Sequence, residues 1–241
     1  MSRESLAARG ARAQRIVRAL ARAYPDAQCA LEHRTPFQLL IATILSAQCT
    51  DAKVNEVTPA LFRRYPSPDA LAEADPGEVE ALIRPTGFYR QKAKSILGAA
   101  RGLVERFGGQ VPKELDALTS LRGVARKTAN VVLGTAFGIP GIAVDTHMKR
   151  VNQRLGLTRA EDPDVIEREL MALIPEAEWT RYTHRVIQHG RACCDARRPR
   201  CPICPLRDDC PWPDAARRER TTGAGEAAGS ASRSSTRKRR R

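Results

Sequence analysis

The residues best placed to do chemistry are a lysine and an aspartate, each at a helix start. Lys127 sits in Leu121-Arg122-Gly123-Val124-Ala125-Arg126-Lys127-Thr128-Ala129-Asn130, which reads as a tight hairpin opening a helix. Asp145 sits in Val144-Asp145-Thr146-His147, at the start of the next one. The chain holds 34 arginines and only 7 lysines, so an amine here departs from its usual cation. A guanidinium stays protonated at any workable pH, whereas an amine can lose its proton and attack carbon. The glycine apex lets backbone N–H groups approach a phosphate, helped by the helix N-terminus that follows. That same dipole disfavours a protonated Lys127 and frees its amine. Asp145 could exchange protons, stabilise positive charge developing on a sugar, or simply cap its helix; one carboxylate can do all three.

A second constellation is Cys194-x6-Cys201-x2-Cys204-x5-Cys210, with Cys193 as an alternative first ligand. No secretory signal precedes it, so the compartment is read as reducing and the thiols as metal ligands rather than disulfides. Four thiols this close suit a tetrahedral site or a cubane cluster, and spacing alone does not choose between zinc and iron–sulfur. Arg197, Arg198 and Arg200 lie in the loop between the first two ligands, where a metal would order them as a phosphate-binding surface. Cys29 and Cys49 stand alone and read as buried packing.

The elements that must position these groups read as helical throughout. Ala13, Ile16, Val17, Leu20 and Tyr24 mark an amphipathic N-terminal helix. Thr35-Pro36-Phe37-Gln38 supplies an N-cap, an N1 proline and a capping-box glutamine, leading into a helix buried on most sides. Asp75-Pro76 and Asp162-Pro163 open two more. Tyr89 to Phe107 stops at Gly108-Gly109, and a short helix to about Leu121 precedes the hairpin. Further helices run to Phe137, from Asp145 to Gly156, and from Pro175 to Ala192. The prediction is an all-α protein of roughly ten helices. The net charge of +14 and pI near 10.1 favour a polyanionic partner, nucleic acid before an anionic membrane surface. No apolar run approaches the roughly 18 residues of a spanning helix. Residues 215–241 carry nine Lys/Arg against two Glu and few large apolar side chains, which predicts a disordered basic tail.

Taken together, the segment 121–130, Ala-Val-Asp-Thr-His at 143–147, His-Gly-Arg at 189–191 and the four-cysteine spacing resemble the endonuclease III family of helix-hairpin-helix DNA glycosylase/AP lyases. Leu45 to Asp51 and Gly87-Phe88-Tyr89 also fit, and the match spans about residues 10–212. The resemblance implies two helical domains flanking a DNA-binding cleft. One is a six-helix barrel over 29–139; the other, over 1–28 and 140–214, carries a [4Fe–4S] cluster on Cys194, Cys201, Cys204 and Cys210. It further implies a base-excision repair enzyme acting as a monomer on double-stranded DNA that holds oxidised pyrimidines or abasic sites. Lys127 would attack C1′ of a flipped nucleotide and form a Schiff base, with Asp145 assisting, and β-elimination would cut the strand. Gln48 and Phe88 match positions that wedge into the gap left in the duplex. Arg122, Gly123, Val124, Ala125 and His147 complete the implied DNA contacts. The implied setting is the bacterial cytoplasm at the nucleoid, with mitochondrial or nuclear settings left open. A monofunctional relative would lack the lysine, and a non-catalytic damage-binding or redox-sensing protein would need neither Lys127 nor Asp145. Two positions depart from the family hairpin, which usually reads Leu-Pro-Gly-Val-Gly. Arg122 replaces the proline and adds charge; Ala125 replaces the second glycine and puts a methyl where close phosphate approach or a positive φ is expected.

Overall fold

The computed structural model describes residues 4–212; the predicted basic tail lies outside them. Among the described residues there are eleven α-helices and no strand. Two hydrophobic cores organise them. The first is enclosed by α2 (Pro36–Leu45), α3 (Asp51–Arg64), α4 (Pro68–Ala72), α5 (Pro76–Ile83), α6 (Tyr89–Phe107), α7 (Leu115–Thr119) and α8 (Arg126–Ala136). The second packs α1 (Leu6–Ala23) against α9 (Thr146–Arg154), α10 (Pro163–Met171) and α11 (Trp179–Ala192), closed by Leu206 of the cysteine-rich segment.

The punctuation in the sequence sets most boundaries. Thr35, Asp75 and Asp162 each cap the helix that follows by accepting a backbone N–H, with proline at its start. In α2 eight of ten residues are buried, which makes it the axis of the first core. The α1 face Ala13, Ile16, Val17 and Leu20 is buried as its periodicity predicts. Tyr24 ends that helix and hydrogen-bonds through its hydroxyl to His189 Nδ1 at 3.0 Å.

Three local details differ from the sequence reading. The Gln38 carboxamide accepts from Arg34 N rather than from Thr35, so the capping box reaches one residue further back. The predicted Pro175–Ala192 helix is a 3-10 turn over Glu176–Glu178 followed by α11. Helix α3 carries an interior proline, Pro59, whose helix-breaking character masks the element in sequence.

The two cores are joined across the Lys127-bearing helix. The Glu167 carboxylate of α10 is 4 % exposed and takes a two-pronged bond from the Arg126 guanidinium at 2.8 and 2.9 Å. Asn130, one turn further along α8, donates to Glu167 at 3.1 Å and to the Ile142 carbonyl at 3.1 Å. Gly134 of the same helix leaves room for Thr180, whose hydroxyl would lie 2.6 Å from any Cβ placed there. Removing the carboxylate leaves one N–H of the buried Asn130 amide unpaired, while half-exposed Arg126 can turn to water. Glu167→Ala is therefore expected to cost about 2 kcal/mol, read as a lowered denaturation midpoint with unchanged helix content.

Candidate active site

Lys127 and Asp145 line one cleft of about 340 Å³ between the two cores. Its wall also includes Cys29, Thr43, Asp51, His184 and Arg191. Lys127 occupies the second position of α8 and is exposed. It makes no hydrogen bond or ion pair with the described residues, so its amine is free to meet a ligand. Asp145 is half-buried and caps α9, accepting from Met148 N at 2.7 Å. One carboxylate oxygen is thereby fixed and the other is left to the cleft.

The hairpin that presents Lys127 is built from buried anchors. Leu121 and Val124 are in the first core, so Val124 offers a ligand only its backbone. Gly123 takes φ +77°, and a Cβ there would fall 2.6 Å from Ser95 Cβ, so only glycine fits. Arg122 lies along α6 over Gly98, whose missing side chain makes room for its methylenes. Ala125 does not take the positive φ that its family position suggested. Its backbone is extended, φ −86° and ψ 167°, which any residue adopts, and the left-handed turn falls on Gly123 instead. Ala125 also gives α8 no side-chain cap, leaving the first helical N–H groups open to an anion.

Gln48 and Phe88 are the two non-glycine residues with positive φ among those described, at +50° and +47°. Left-handed backbone costs about 1–2 kcal/mol at such residues, so the surrounding fold must impose it. Phe88 is also 67 % exposed, the aromatic one of three exposed large apolar residues among those described, with Leu6 and Ile203.

The His-Gly-Arg run gains a physical reason at the end of α11. Buried His189 faces Tyr24 and, at 3.8 Å, the Cys204 sulfur. A Cβ on Gly190 would lie 2.9 Å from His147 Nδ1, so glycine lets α9 and α11 close on each other. Arg191 pairs with Asp51 at 2.7 Å, tying α11 to α3 across the cleft. Burial, reinforced by Arg150 and Arg191 against Asp145, lowers the pKa of His147, and burial alone lowers that of His184. Both shifts favour the neutral imidazole. Sequence reasoning missed Asp51, His184 and Arg191 as cleft residues, and put Cys29 only in the packing. They come together from three separate elements; Asp51 and Arg191 each end a matched segment, Leu45 to Asp51 and His-Gly-Arg, whereas Cys29 and His184 lie in none.

Cys194, Cys201, Cys204 and Cys210 converge on a second cavity, walled by Val151, Leu155, Leu206 and Trp212, and Cys193 lines it too. His189, Cys193 and Cys204 bring their ligand atoms within 4.8 Å of one another. Burial pushes the Cys204 thiol up to about 12 and raises Cys210 as well, while backbone N–H groups of Leu206 and Trp212 favour their thiolates. Buried thiols of this kind ionise when a multivalent cation shares their cavity, so the soft, convergent donor set fits a metal centre. Arg197 and Arg198 are exposed nearby, their backbone N–H groups fixed on Asp195 at 2.9 Å each. Arg200 is different: its guanidinium turns back onto the Ala192 carbonyl.

Residues 41–176 match the HhH-GPD superfamily of base excision DNA repair proteins. The chain is 56 % identical to the endonuclease III of Synechocystis over 207 residues, covering 86 % of this chain and 94 % of that one. Identity to the Bacillus subtilis endonuclease III is 46 % over 188 residues, 78 % and 86 % of the two chains. The chain belongs to the endonuclease III family. A solved non-covalent endonuclease III–DNA complex shares its fold with a TM-score of 0.83 and 46 % identity, covering 87 % of this chain and 98 % of that one. A trapped endonuclease III–DNA covalent intermediate gives 0.80 at the same identity, covering 85 % and 98 %. The predicted all-α architecture, with two helical lobes about a cleft, is the fold of this family.

The cap and any chemical role of Asp145 are separable. Asp145→Asn keeps an acceptor for Met148 N, whereas Asp145→Ala loses it at a cost of about 1 kcal/mol. Thermal denaturation is expected to show a loss for the alanine variant and near-native stability for the asparagine one.

Proposed function

We propose that this chain is a bifunctional DNA glycosylase/AP lyase that removes oxidised pyrimidines from double-stranded DNA and cuts the strand at the resulting abasic site. The carrying observation is the free amine of Lys127 and the capped carboxylate of Asp145 facing one cleft in an endonuclease III-family protein. A damaged nucleotide flipped into the cleft presents C1′ to the amine. As the Lys127 Nζ–C1′ bond forms, the glycosidic bond breaks and its electron pair leaves with the base, which takes up a proton. Asp145 stabilises the positive charge developing on the sugar and receives the proton that the amine gives up. Opening of the sugar ring leaves an iminium between Lys127 and C1′. Loss of a C2′ proton then expels the 3′ phosphate, and water releases the lysine.

The hairpin Arg122–Ala125 and the α8 N-terminus hold a backbone phosphate, setting register without reading bases. Phe88 and Gln48 fill the gap in the duplex, offsetting part of the unstacking cost. His147 supports the cleft wall from α9 while Arg197 and Arg198 add phosphate contacts, Arg200 serving its own loop. Cys194, Cys201, Cys204 and Cys210 hold a [4Fe–4S] cluster, which when bound pins the arginine-bearing loop and the end of α11. The first core, near 29–139, and the second, 1–28 with 140–214, act as two domains of a monomer that works in the cytoplasm at the nucleoid. No helix among the described residues is long and apolar enough to cross a membrane.

A duplex carrying one thymine glycol tests the reading. Incubation should give strand scission with an unsaturated aldehyde on the 3′ end, abolished in Lys127→Ala and slowed in Asp145→Asn at unchanged DNA affinity. Base release that leaves only alkali-labile, uncut sites would overturn the lyase half, and intact DNA would overturn both.

A further inference from the structure

Lys92 is a buried cation that the chemistry above leaves unused. It lies four residues past Phe88 in α6 and is only 5 % exposed. The lysine ion pairs of the described residues involve Lys53 and Lys149, not Lys92. Its ammonium instead donates to the Thr86 carbonyl at 2.7 Å, with Cys49 near enough to act on its charge. Burying an ammonium against a lone carbonyl is costly, and a methionine would fill the space without that cost. Burial accordingly lowers its pKa.

The carbonyl it holds belongs to a turn with two successive positive-φ residues. Thr86 is buried, its hydroxyl donating to Ile83 O at 2.8 Å. Gly87 follows at φ +69°, ψ 162°, a conformation essentially reserved for glycine. Phe88 comes next at φ +47°, ψ 27°, a left-handed helix start with no side-chain cap. Lys92 grips this turn twice, by Nζ on Thr86 O and by its backbone N–H on Phe88 O at 3.0 Å. Nearby Cys49 adjoins Gln48, the other strained residue. A single buried charge therefore holds one and lies near the other of the two loops whose exposed residues, Phe88 and Gln48, have left-handed backbone.

We propose that Lys92 is a positioning residue for duplex opening: its buried ammonium, anchored on the Thr86 carbonyl, holds the Gly87–Phe88 turn in the strained form that presents Phe88 to DNA. The inference rests on the reading of Phe88 as a wedge.

The test compares Lys92→Met, Lys92→Arg, Phe88→Ala and the Lys92→Met/Phe88→Ala double variant in the full chain with its cysteine site loaded. Two readouts are taken: single-turnover cleavage of an abasic site in duplex against single-stranded DNA, and fluorescence of a 2-aminopurine placed beside a tetrahydrofuran site, which reports unstacking. Lys92→Met should lower the duplex-to-single-strand rate ratio by about tenfold and abolish the fluorescence rise, with partial recovery in Lys92→Arg. The double variant should fall within about twofold of Phe88→Ala alone, because residues acting as one unit are not additive. Equal losses on both substrates, or a double variant that shows the product of the single effects, would overturn the role of Lys92. A Phe88→Ala variant with a native ratio would instead overturn the wedge reading, and the inference with it.

Discussion

The buried carboxylate of Glu167 is the constraint on which the arrangement of the site depends. It is the acceptor that fixes α8 against the second core, through Arg126 and Asn130. Lys127 follows Arg126 directly, so the rotation of α8 that seats the guanidinium also sets the direction of the amine. Asn130 carries the constraint further, because its other hydrogen bond holds the Ile142 carbonyl, three residues before Asp145. Lys127 and Asp145 sit on different elements, against different cores, yet one buried side chain fixes the relation between them. A buried pair of this kind is weak evidence of stability. Its value here is geometric.

Helix α11 supplies the opposite wall by similar means. Tyr182 is wholly buried and hydrogen-bonds to Asn152, His189 reaches Tyr24 and the cysteine cavity, Gly190 admits His147, and Arg191 crosses to Asp51. The cysteine-rich segment begins where this helix ends, so a metal centre there would stiffen the wall from behind. Arg154 strengthens the link, donating to the Cys194 sulfur at 3.3 Å and to two carbonyls of the following loop while stacking on Trp212. Hydrogen-bonded walls flank the cleft, and among the described residues positive φ outside glycine falls on Gln48 and Phe88.

Much of this was legible in the sequence, for identifiable reasons. Caps and N1 prolines announce themselves locally, which is why α2, α5 and α10 start where Thr35, Asp75 and Asp162 said they would. Lys127 and Asp145 were conspicuous locally: an amine among guanidinia, and a lone carboxylate at a helix start. Other features carry no local signature. Pro59 hid α3, since a proline at mid-helix normally argues against a helix. Glu167 is one of 27 acidic residues, and nothing in its neighbourhood foretells that distant Arg126 and Asn130 converge on it. The left-handed turn belonged to Gly123 rather than to position 125, a choice made by contact with Ser95 on another helix.

The central claim is that the amine of Lys127, held by α8, is the group that bonds to the sugar. Borohydride reduction during turnover on duplex containing an oxidised pyrimidine would freeze that bond, and peptide mapping of the adduct by mass spectrometry would locate it. The account predicts a single cross-linked residue, Lys127, and no adduct in Lys127→Ala. A cross-link at any other amine, or an adduct that persists in that variant, would contradict it.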